Sequence, residues 1–194
     1  MWDRIERLSQ PTVEPLSLAD VKGHGHIDSG DEDAFYQRAI KAARQMIEGP
    51  HGAGLALVAA QWRLPLDCLP AEIWIPMGPV MSIDTIAYRD GAGALQTLDP
   101  ARYQWRKGTF EARIKPAYGL AWPTVRSQYD AVQVTFTAGF ADPAAIEEPL
   151  KVAMLMLIQH WNANRETVVV GEISTEIQLG FNSLLNRYRV GRFA

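Results

Sequence analysis

A twelve-residue apolar helix late in the chain constrains the fold more than any other sequence feature. From Leu150 to Trp161, apolar side chains recur at helical spacing, and further apolar residues widen this stripe until little polar face remains. A helix that is apolar nearly all round is normally covered by other elements, and this one is too short to cross a bilayer, which needs ~20 residues. Pro149 suits the first helical turn. We therefore predict a central helix near 149–166 around which the chain is packed.

A second helix is predicted near residues 32–48. Phe35, Ala39 and Ile47 lie on one of its faces, and Gly49 followed by a proline would end it. Because alanines on this face are small, another helix can approach closely. The natural partner is the 149–166 helix, about a hundred residues downstream, which makes the chain between them an insertion.

A short helix is expected before these two. Ser17 and Asp20 have the spacing of a capping box at its start, and glycines up to Gly25 would end it. The acid-rich loop that follows offers Ser29 or Asp31 as the N-cap of the 32–48 helix. Residues 1–16 are predicted to form an extended or partly helical arm that is either frayed or docked.

The insertion at about 55–138 has the pattern of β-structure. Short apolar or alternating runs are separated by turn residues, and Asp90-Gly91-Ala92-Gly93 is a strong hairpin signal. The predicted strands are 55–64, 72–75, 80–89, 94–98, 102–106, 110–115 and 131–138. The predicted fold class is α+β: a helical core (helices near 32–48, 149–166 and 181–190) with an inserted antiparallel sheet or small sandwich.

Composition favours one domain spanning residues 1–194 and limits the partners. The net charge of −3 argues against broad nucleic-acid binding, and the lone Cys68 excludes an internal disulfide. No apolar segment is long enough for a membrane span, and the charged N-terminal residues do not resemble a signal peptide. We expect a protein of the cytoplasm that has no membrane partner.

The loop containing His24, His26, Asp28 and Asp31 is the one stretch that invites an enzymatic interpretation. Its side chains could bind a metal ion in a small cytosolic metal-dependent enzyme, but their spacing fits neither a zinc site nor a regular calcium loop. The sequence also lacks a phosphate-binding glycine loop and a nucleophile elbow. The favoured prediction is therefore a protein with no catalytic group, cofactor or metal, and the enzyme is the alternative.

Two segments after the central helix are candidates for contact with other chains. The β-prone run containing Val168, Val169, Val170 and Ile173 could pair with another chain or form a local hairpin, and both hypotheses have equal support. The final helix, predicted at 181–190, leads into a basic and aromatic tail. Leu184, Leu185, Arg187, Tyr188, Arg189, Arg192 and Phe193 make up this docking candidate. Its arginines also suit a helix C-terminus on dipole grounds.

A set of motifs, in this order and spacing, resembles the head–tail connector, or adaptor, proteins of long-tailed phages and phage-derived particles. The resemblance is strongest to the subgroup of prophages and gene transfer agents of α-proteobacteria. In chain order the motifs are PLSLADVK (15–22), DED (31–33), AARQMIE (42–48), MGPVMSI (77–83), YRDG (88–91), WP (122–123), AVQVTFTAGF (131–140), EPLK (148–151), HW (160–161), NRE (164–166) and YR (188–189).

This resemblance implies a structural protein of the virion neck. Such adaptors form a ring, commonly of twelve copies, between the portal and the stopper or tail proteins, and double-stranded DNA passes through the ring without specific binding. Trp122, Pro123, Trp161, Arg165 and Glu166 would be structural motif residues. The C-terminal tail would bind the portal, whereas the Val168–Ile173 region would contact neighbouring copies or the stopper. Truncation after Gly180 is accordingly expected to leave a folded protein that has lost portal binding.

Overall fold

Four helices form one half of the computed structural model, which describes residues 4–164 and 175–189. They are α1 (Leu18–Gly25), α2 (Asp33–Ile47), α3 (Glu148–Ala163) and α4 (Thr175–Leu185). The apolar α3 lies at the centre of this half, as predicted, and contacts the other three helices. Buried side chains from all four helices form one apolar cluster with residues of the chain that precedes the first long strand.

Two antiparallel sheets form the other half. The strands are β1 (Glu6–Arg7), β2 (Ala60–Leu66), β3 (Ile73–Ile75), β4 (Val80–Arg89), β5 (Leu95–Thr97), β6 (Tyr103–Lys107), β7 (Ala112–Pro116) and β8 (Val132–Ala138). One sheet has the order β1-β2-β8-β4-β5 and the other has the order β3-β7-β6. Their buried faces share a second apolar cluster. The α+β prediction with an inserted β-structure is confirmed.

The helices α2 and α3 run antiparallel and define the long direction of the helical half. Near the start of α2, the Tyr36 hydroxyl donates to Asn162 Oδ1 at the end of α3, over 2.8 Å. Along the contact, Ala39 and Ala43 are buried, which is consistent with the predicted close approach. Since α2 has 15 residues and a helix rises ~1.5 Å per residue, the two ends of α2 are about 22 Å apart.

The N-terminal arm is extended and docked, as one of the predicted alternatives had it, and it also contributes a strand to a sheet, which was not predicted. Glu6 and Arg7 pair with Arg63 and Trp62, so β1 adds a fifth strand to the sheet that the insertion forms. This short pairing also explains why β2 runs through Pro65, which was expected to end it. Beyond Arg63 no described residue pairs with that side of β2, so the proline deprives the sheet of no hydrogen bond there.

The short helix α1 agrees with its prediction, whereas the start of α2 does not. The capping box of Ser17 and Asp20 is present and α1 ends at Gly25, although Gly23 lies within the helix and the C-cap is His26 in the left-handed conformation. The N-cap of α2 is Glu32, which makes no side-chain capping bond, so neither Ser29 nor Asp31 has the predicted role.

The C-terminal helix begins earlier than predicted. It starts at Thr175 instead of residue 181 and ends at Leu185, and a turn carries the chain to Tyr188. Residues 175–180 are therefore part of the helix. At Gly180 the helix α4 passes very near α3. A Cβ atom at this position would lie 2.9 Å from Met156 Cε, so the absence of a side chain allows the close approach.

Candidate functional site

The histidine loop does not form a ligand cluster. His24 lies on α1 and His26 caps that helix, whereas Asp28 and Asp31 are exposed beyond it. In the part of the chain that the structure describes, no group of three or more His, Cys, Asp or Glu side chains could hold a metal ion. The geometry therefore offers no support for the metal-dependent alternative.

A buried ionic cluster joins the N-terminal arm to α2. The Arg44 guanidinium is only 2% exposed and donates to Glu14 Oε2 over 2.7 Å and to Glu48 Oε2 over 2.6 Å. Glu48 Oε1 also accepts from the backbone N–H of Leu57 over 2.9 Å. Burial by itself would lower the pKa of Arg44, but the hydrogen bonds and charges of Glu14 and Glu48 outweigh it and raise the pKa.

Arg7 completes this cluster from β1. Its guanidinium donates to Glu48 and lies 4.6 Å from the ring centroid of Trp62, a cation–π contact. Two arginines thus balance Glu14 and Glu48, and the arm is held across the helix and the sheet. Arg44 and Glu48 are four residues apart on α2, a spacing that could have signalled their ion pair. The sequence analysis missed the cluster because Arg7 and Glu14 lie far from this pair in the chain.

The chain after α4 is anchored by Tyr188. Its hydroxyl donates to Glu147 Oε2 over 2.7 Å, and its ring packs edge-on against Phe110 with centroids 5.8 Å apart. Burial raises the pKa of Tyr188, and the nearby Glu147 carboxylate raises it further. This contact joins the start of α3 to the loop that leads into β7.

The predicted portal-binding residues divide into buried and exposed groups. Leu185 and Tyr188 are buried in the chain's own core, Leu184 is half-buried against it, and Arg187 is exposed. Arg189 donates to Asn182 Oδ1 over 2.6 Å, which ties it back to α4. Arg192 and Phe193 lie outside the described residues. Because α4 supplies core residues, the structure argues against the expectation that truncation after Gly180 leaves a folded protein.

The remaining predicted residues pack within the chain's own fold where they are described. Trp122 donates from Nε1 to the backbone carbonyl of Pro70 over 2.7 Å and packs against the β cluster, with Pro123 half-buried beside it. Trp161 is buried in the helical core. The subunit-contact candidates Val168, Val169, Val170 and Ile173, together with Arg165 and Glu166, lie outside the described residues.

The β6–β7 hairpin carries a concentration of positive charge that the sequence analysis missed. Between Arg102 and Lys115 there are five cationic side chains and one carboxylate, Glu111, so this stretch has a net charge of +4. The whole chain has a net charge of −3, and the other residues therefore carry −7. Alternation within the two strands places most of these cations on one face of the sheet.

We call this outward surface of β3-β7-β6 the basic sheet face. The strand register aligns Trp74, Arg113 and Arg106 in one row and Gln104 with Lys115 in the next. The residues between them on the strands, such as Ile73 and Ile114, point into the core. The basic sheet face thus consists of Trp74, Gln104, Arg106, Arg113 and Lys115.

Two carboxylates hold the centre of the basic sheet face in place. Trp74 Nε1 donates to Glu111 Oε2 over 2.7 Å, and Arg113 donates to Glu72 over 3.0 Å and to Glu111 over 3.2 Å. The Arg113 guanidinium also lies 5.8 Å from the ring centroid of Trp74. The Glu72 hydrogen bond, followed by that of Glu111, raises the pKa of Arg113. Arg106 and Lys115 have no salt bridge with any described residue.

An apolar groove adjoins the basic sheet face. It has a volume of about 300 Å³ and runs along Trp74 and Glu72. Its other lining residues are Leu64, Leu66, Pro70, Ile73 and Pro76. An aromatic side chain, arginines and an apolar depression in one surface are typical of a protein–protein contact, not of a catalytic centre.

Comparison with solved structures identifies the fold. A chain in the neck of an empty gene transfer agent (GTA) particle, computed with C6 symmetry, matches with a TM-score of 0.77 and 24% identity. A chain in the virion of the native GTA particle matches with a TM-score of 0.73 and 22% identity, and one in the neck of the native particle, computed with C12 symmetry, with 0.68 and 19%. Each match covers 98% of this chain and 97% of the other.

Sequence comparisons add no further relative. No protein-family profile matches the chain, and no curated protein gives a significant match. Within the described residues, none of the helices combines the length and the hydrophobicity that a bilayer crossing requires.

Proposed function

We propose that this chain is a structural adaptor of the head–tail junction in a gene transfer agent or related phage particle. The observation that carries this proposal is the end-to-end fold correspondence with chains of GTA necks, which covers 98% of this chain and 97% of the other. All 194 residues would act as one adaptor domain without catalytic function. The chain would be made in the bacterial cytoplasm and reside in the neck of the assembled particle.

In this proposal the copies form a ring, commonly of twelve, beneath the portal. The C12 and C6 symmetries of the two GTA neck structures support a cyclic arrangement. The acidic remainder of the chain suits a channel through which DNA must slide, because cationic linings hold phosphates through counterion release. The opposite side of the ring would receive the stopper or tail-joining protein.

The portal contact is assigned to the C-terminal end of the chain. Tyr188 and Leu185 anchor the base of this end in the core, and Arg187 is exposed immediately beside them. Arg192 and Phe193 follow and are proposed to reach the portal, where a basic tail would complement an acidic groove. The residues Val168, Val169, Val170 and Ile173 are proposed to contact a neighbouring copy or the stopper.

The test is molar mass by light scattering, for the chain alone and for the chain mixed with the portal protein of the same particle. With a subunit mass of 21.6 kDa, twelve bound copies would raise the mass of the portal peak by about 260 kDa. A chain that stays monomeric and leaves the portal peak unchanged would refute the adaptor function.

A further inference from the structure

We infer that the basic sheet face forms one half of a head-to-tail contact between neighbouring copies of this chain. Its occupant is the acidic loop of the next copy, which we define as residues 28–33. The inference rests on the ring of the proposed function and goes beyond it, because it names the two surfaces that close the ring.

The basic sheet face is built as a contact surface. Trp74 and Arg113 are held by Glu111 and Glu72, so docking a partner on them costs little side-chain entropy. Arg106 lies next to Arg113 in the same row of the sheet, and Lys115 lies in the neighbouring row. Neither Arg106 nor Lys115 has an ion-pair partner among the described residues. Trp and Arg are the residue types that most often dominate binding energy at protein interfaces.

The same surface is poorly suited to the phosphates of DNA. Glu72 and Glu111 lie within 3.2 Å of the Arg113 guanidinium, so their negative charges occupy the centre of the face. The adjoining groove is lined mainly by apolar side chains, which phosphates would not fill. A protein surface that brings carboxylates to Arg106 and Lys115 matches the face better.

The acidic loop of another copy has the complementary charge. Asp28, Asp31 and Glu32 lie between α1 and α2, and Asp33 is the first residue of α2. Asp33 pairs with Lys22 over 2.8 Å. Asp28 and Asp31 are exposed and form no salt bridge with a described residue, so these two carboxylates supply the negative charge that the loop offers to a neighbouring copy.

The positions of the two surfaces suit a closed ring. The acidic loop precedes α2, near the end of α3 where Tyr36 bonds Asn162. The β6–β7 hairpin lies towards the other end of α3, because Phe110 packs on Tyr188, whose hydroxyl bonds Glu147 at the start of that helix. The α3 helix itself, with 16 residues, is ~24 Å long. Two different patches at opposite ends make a heterologous contact, and face-to-face pairing of identical patches would bring like charges together.

Charge reversal tests the contact with the full-length chain and the portal protein, read by light scattering. R106E/K115E and D28K/D31K should each reduce ring assembly at least tenfold at fixed concentration. Their equimolar mixture should restore it, because each reversed surface then meets an oppositely charged one. The matched control is R38E/K41E, which reverses two exposed cations on α2 and should assemble like wild type.

Neutral variants sharpen the test. An equimolar mixture of R106A/K115A and D28A/D31A retains one intact pair of surfaces per two copies and should stop at a 1:1 dimer. Normal assembly of either charge-reversal variant would overturn the inference and leave the adaptor function standing. Failure of the mixture of R106E/K115E and D28K/D31K to recover assembly would have the same meaning. Failure of the wild type to assemble, even with the portal, would instead refute the proposed function and the contact with it.

A separate measurement decides between protein and DNA as the occupant. Fluorescence anisotropy with a short DNA duplex should give the same affinity for wild type and R106E/K115E. A large loss of DNA affinity in R106E/K115E, together with normal ring assembly, would overturn the inference in favour of a phosphate-binding face.

Discussion

Arg44 is the residue on which the docking of the N-terminal arm depends. It joins Glu14 of the arm to Glu48 at the end of α2, and Arg7 reaches the same carboxylate from β1. A buried pair contributes little compared with a well-packed apolar pair, but removing one partner leaves an uncompensated buried charge. The cluster therefore makes the position of the arm specific.

Replacing Arg44 should be strongly destabilising. Arg44→Met keeps most of the side-chain volume but removes the cation that bridges Glu14 and Glu48 and leaves Glu48 with only Arg7 as an ion-pair partner among the described residues, so the free energy of unfolding should fall by up to ~3–5 kcal/mol. Urea denaturation followed by circular dichroism measures this change. Arg38→Met, at an exposed position of the same helix, is the control and should change the value by less than about 0.5 kcal/mol.

Tyr188 should make stability depend on alkaline pH. Burial, and then the Glu147 carboxylate, raise the pKa of Tyr188 in the folded state. Its contribution is therefore complete below the ordinary tyrosine pKa and is lost as the pH rises through the raised one. In Tyr188→Phe the alkaline loss of stability should be smaller than in wild type, and at neutral pH the variant should be about 1 kcal/mol less stable.

The comparison with wild type isolates Tyr188. Burial also raises the pKa of Tyr103, but that contribution is the same in both proteins and cancels in the difference. Tyr118→Phe is the matched control because the Tyr118 side chain is fully exposed. If Tyr188→Phe loses as much stability at alkaline pH as wild type does, ionisation of Tyr188 is not coupled to folding.

At the scale of elements, α3 organises the helical half. Contrary to the prediction, other elements do not cover it on all sides. Leu150, Met154, Leu157 and Trp161 are buried, but Val152 is 41% exposed. The apolar stripe predicted the helix correctly, whereas its apparent all-round character overstated its burial. In the N-terminal half of α3, Val152 is thus partly exposed.

Substitutions along α3 should distinguish its two sides. Met154→Ala or Leu157→Ala should lower the free energy of unfolding by ~2–5 kcal/mol, because each leaves a cavity in a packed interior. Val152→Ala shortens an apolar side chain on the exposed side of α3 and should lower the free energy of unfolding by less than about 1 kcal/mol. Equal losses on both sides, measured by urea denaturation, would contradict the central position of the helix.

At the scale of the whole molecule, α4 is both a core element and the base of the proposed docking tail. Phe181, Leu185 and Tyr188 are buried in the same cluster as α2 and α3. The portal-binding hypothesis therefore concerns the residues that follow Tyr188 more than the helix itself.

Two truncations should separate folding from portal binding. Removal of all residues after Gly180 takes three buried side chains out of the core and should abolish cooperative thermal unfolding. Removal of the residues after Arg189 should leave the circular dichroism spectrum and melting temperature close to wild type while portal binding falls at least tenfold. Undiminished portal binding by this shorter truncation would place the contact elsewhere on the chain.

Local patterns in the sequence were sufficient for much of the architecture. Helical periodicity predicted α2 and α3, the Ser17–Asp20 spacing predicted the capping box, and turn residues with alternation predicted most of the strands. These features depend on residues only a few positions apart, so their spacing can be recognised in a single sequence. The α+β class and the pairing of the two long helices could therefore be predicted from the chain by itself.

Only the tertiary structure decided which distant residues meet. Three features involve partners far apart in the chain. They are the ion pairs of Arg7 with Glu48 and of Glu14 with Arg44, the addition of β1 to the sheet, and the hydrogen bond of Tyr188 to Glu147. The basic sheet face was visible in the sequence only as a count of charges. The register of three strands turned that count into a surface, because side-chain direction in a sheet depends on pairing that no local pattern specifies.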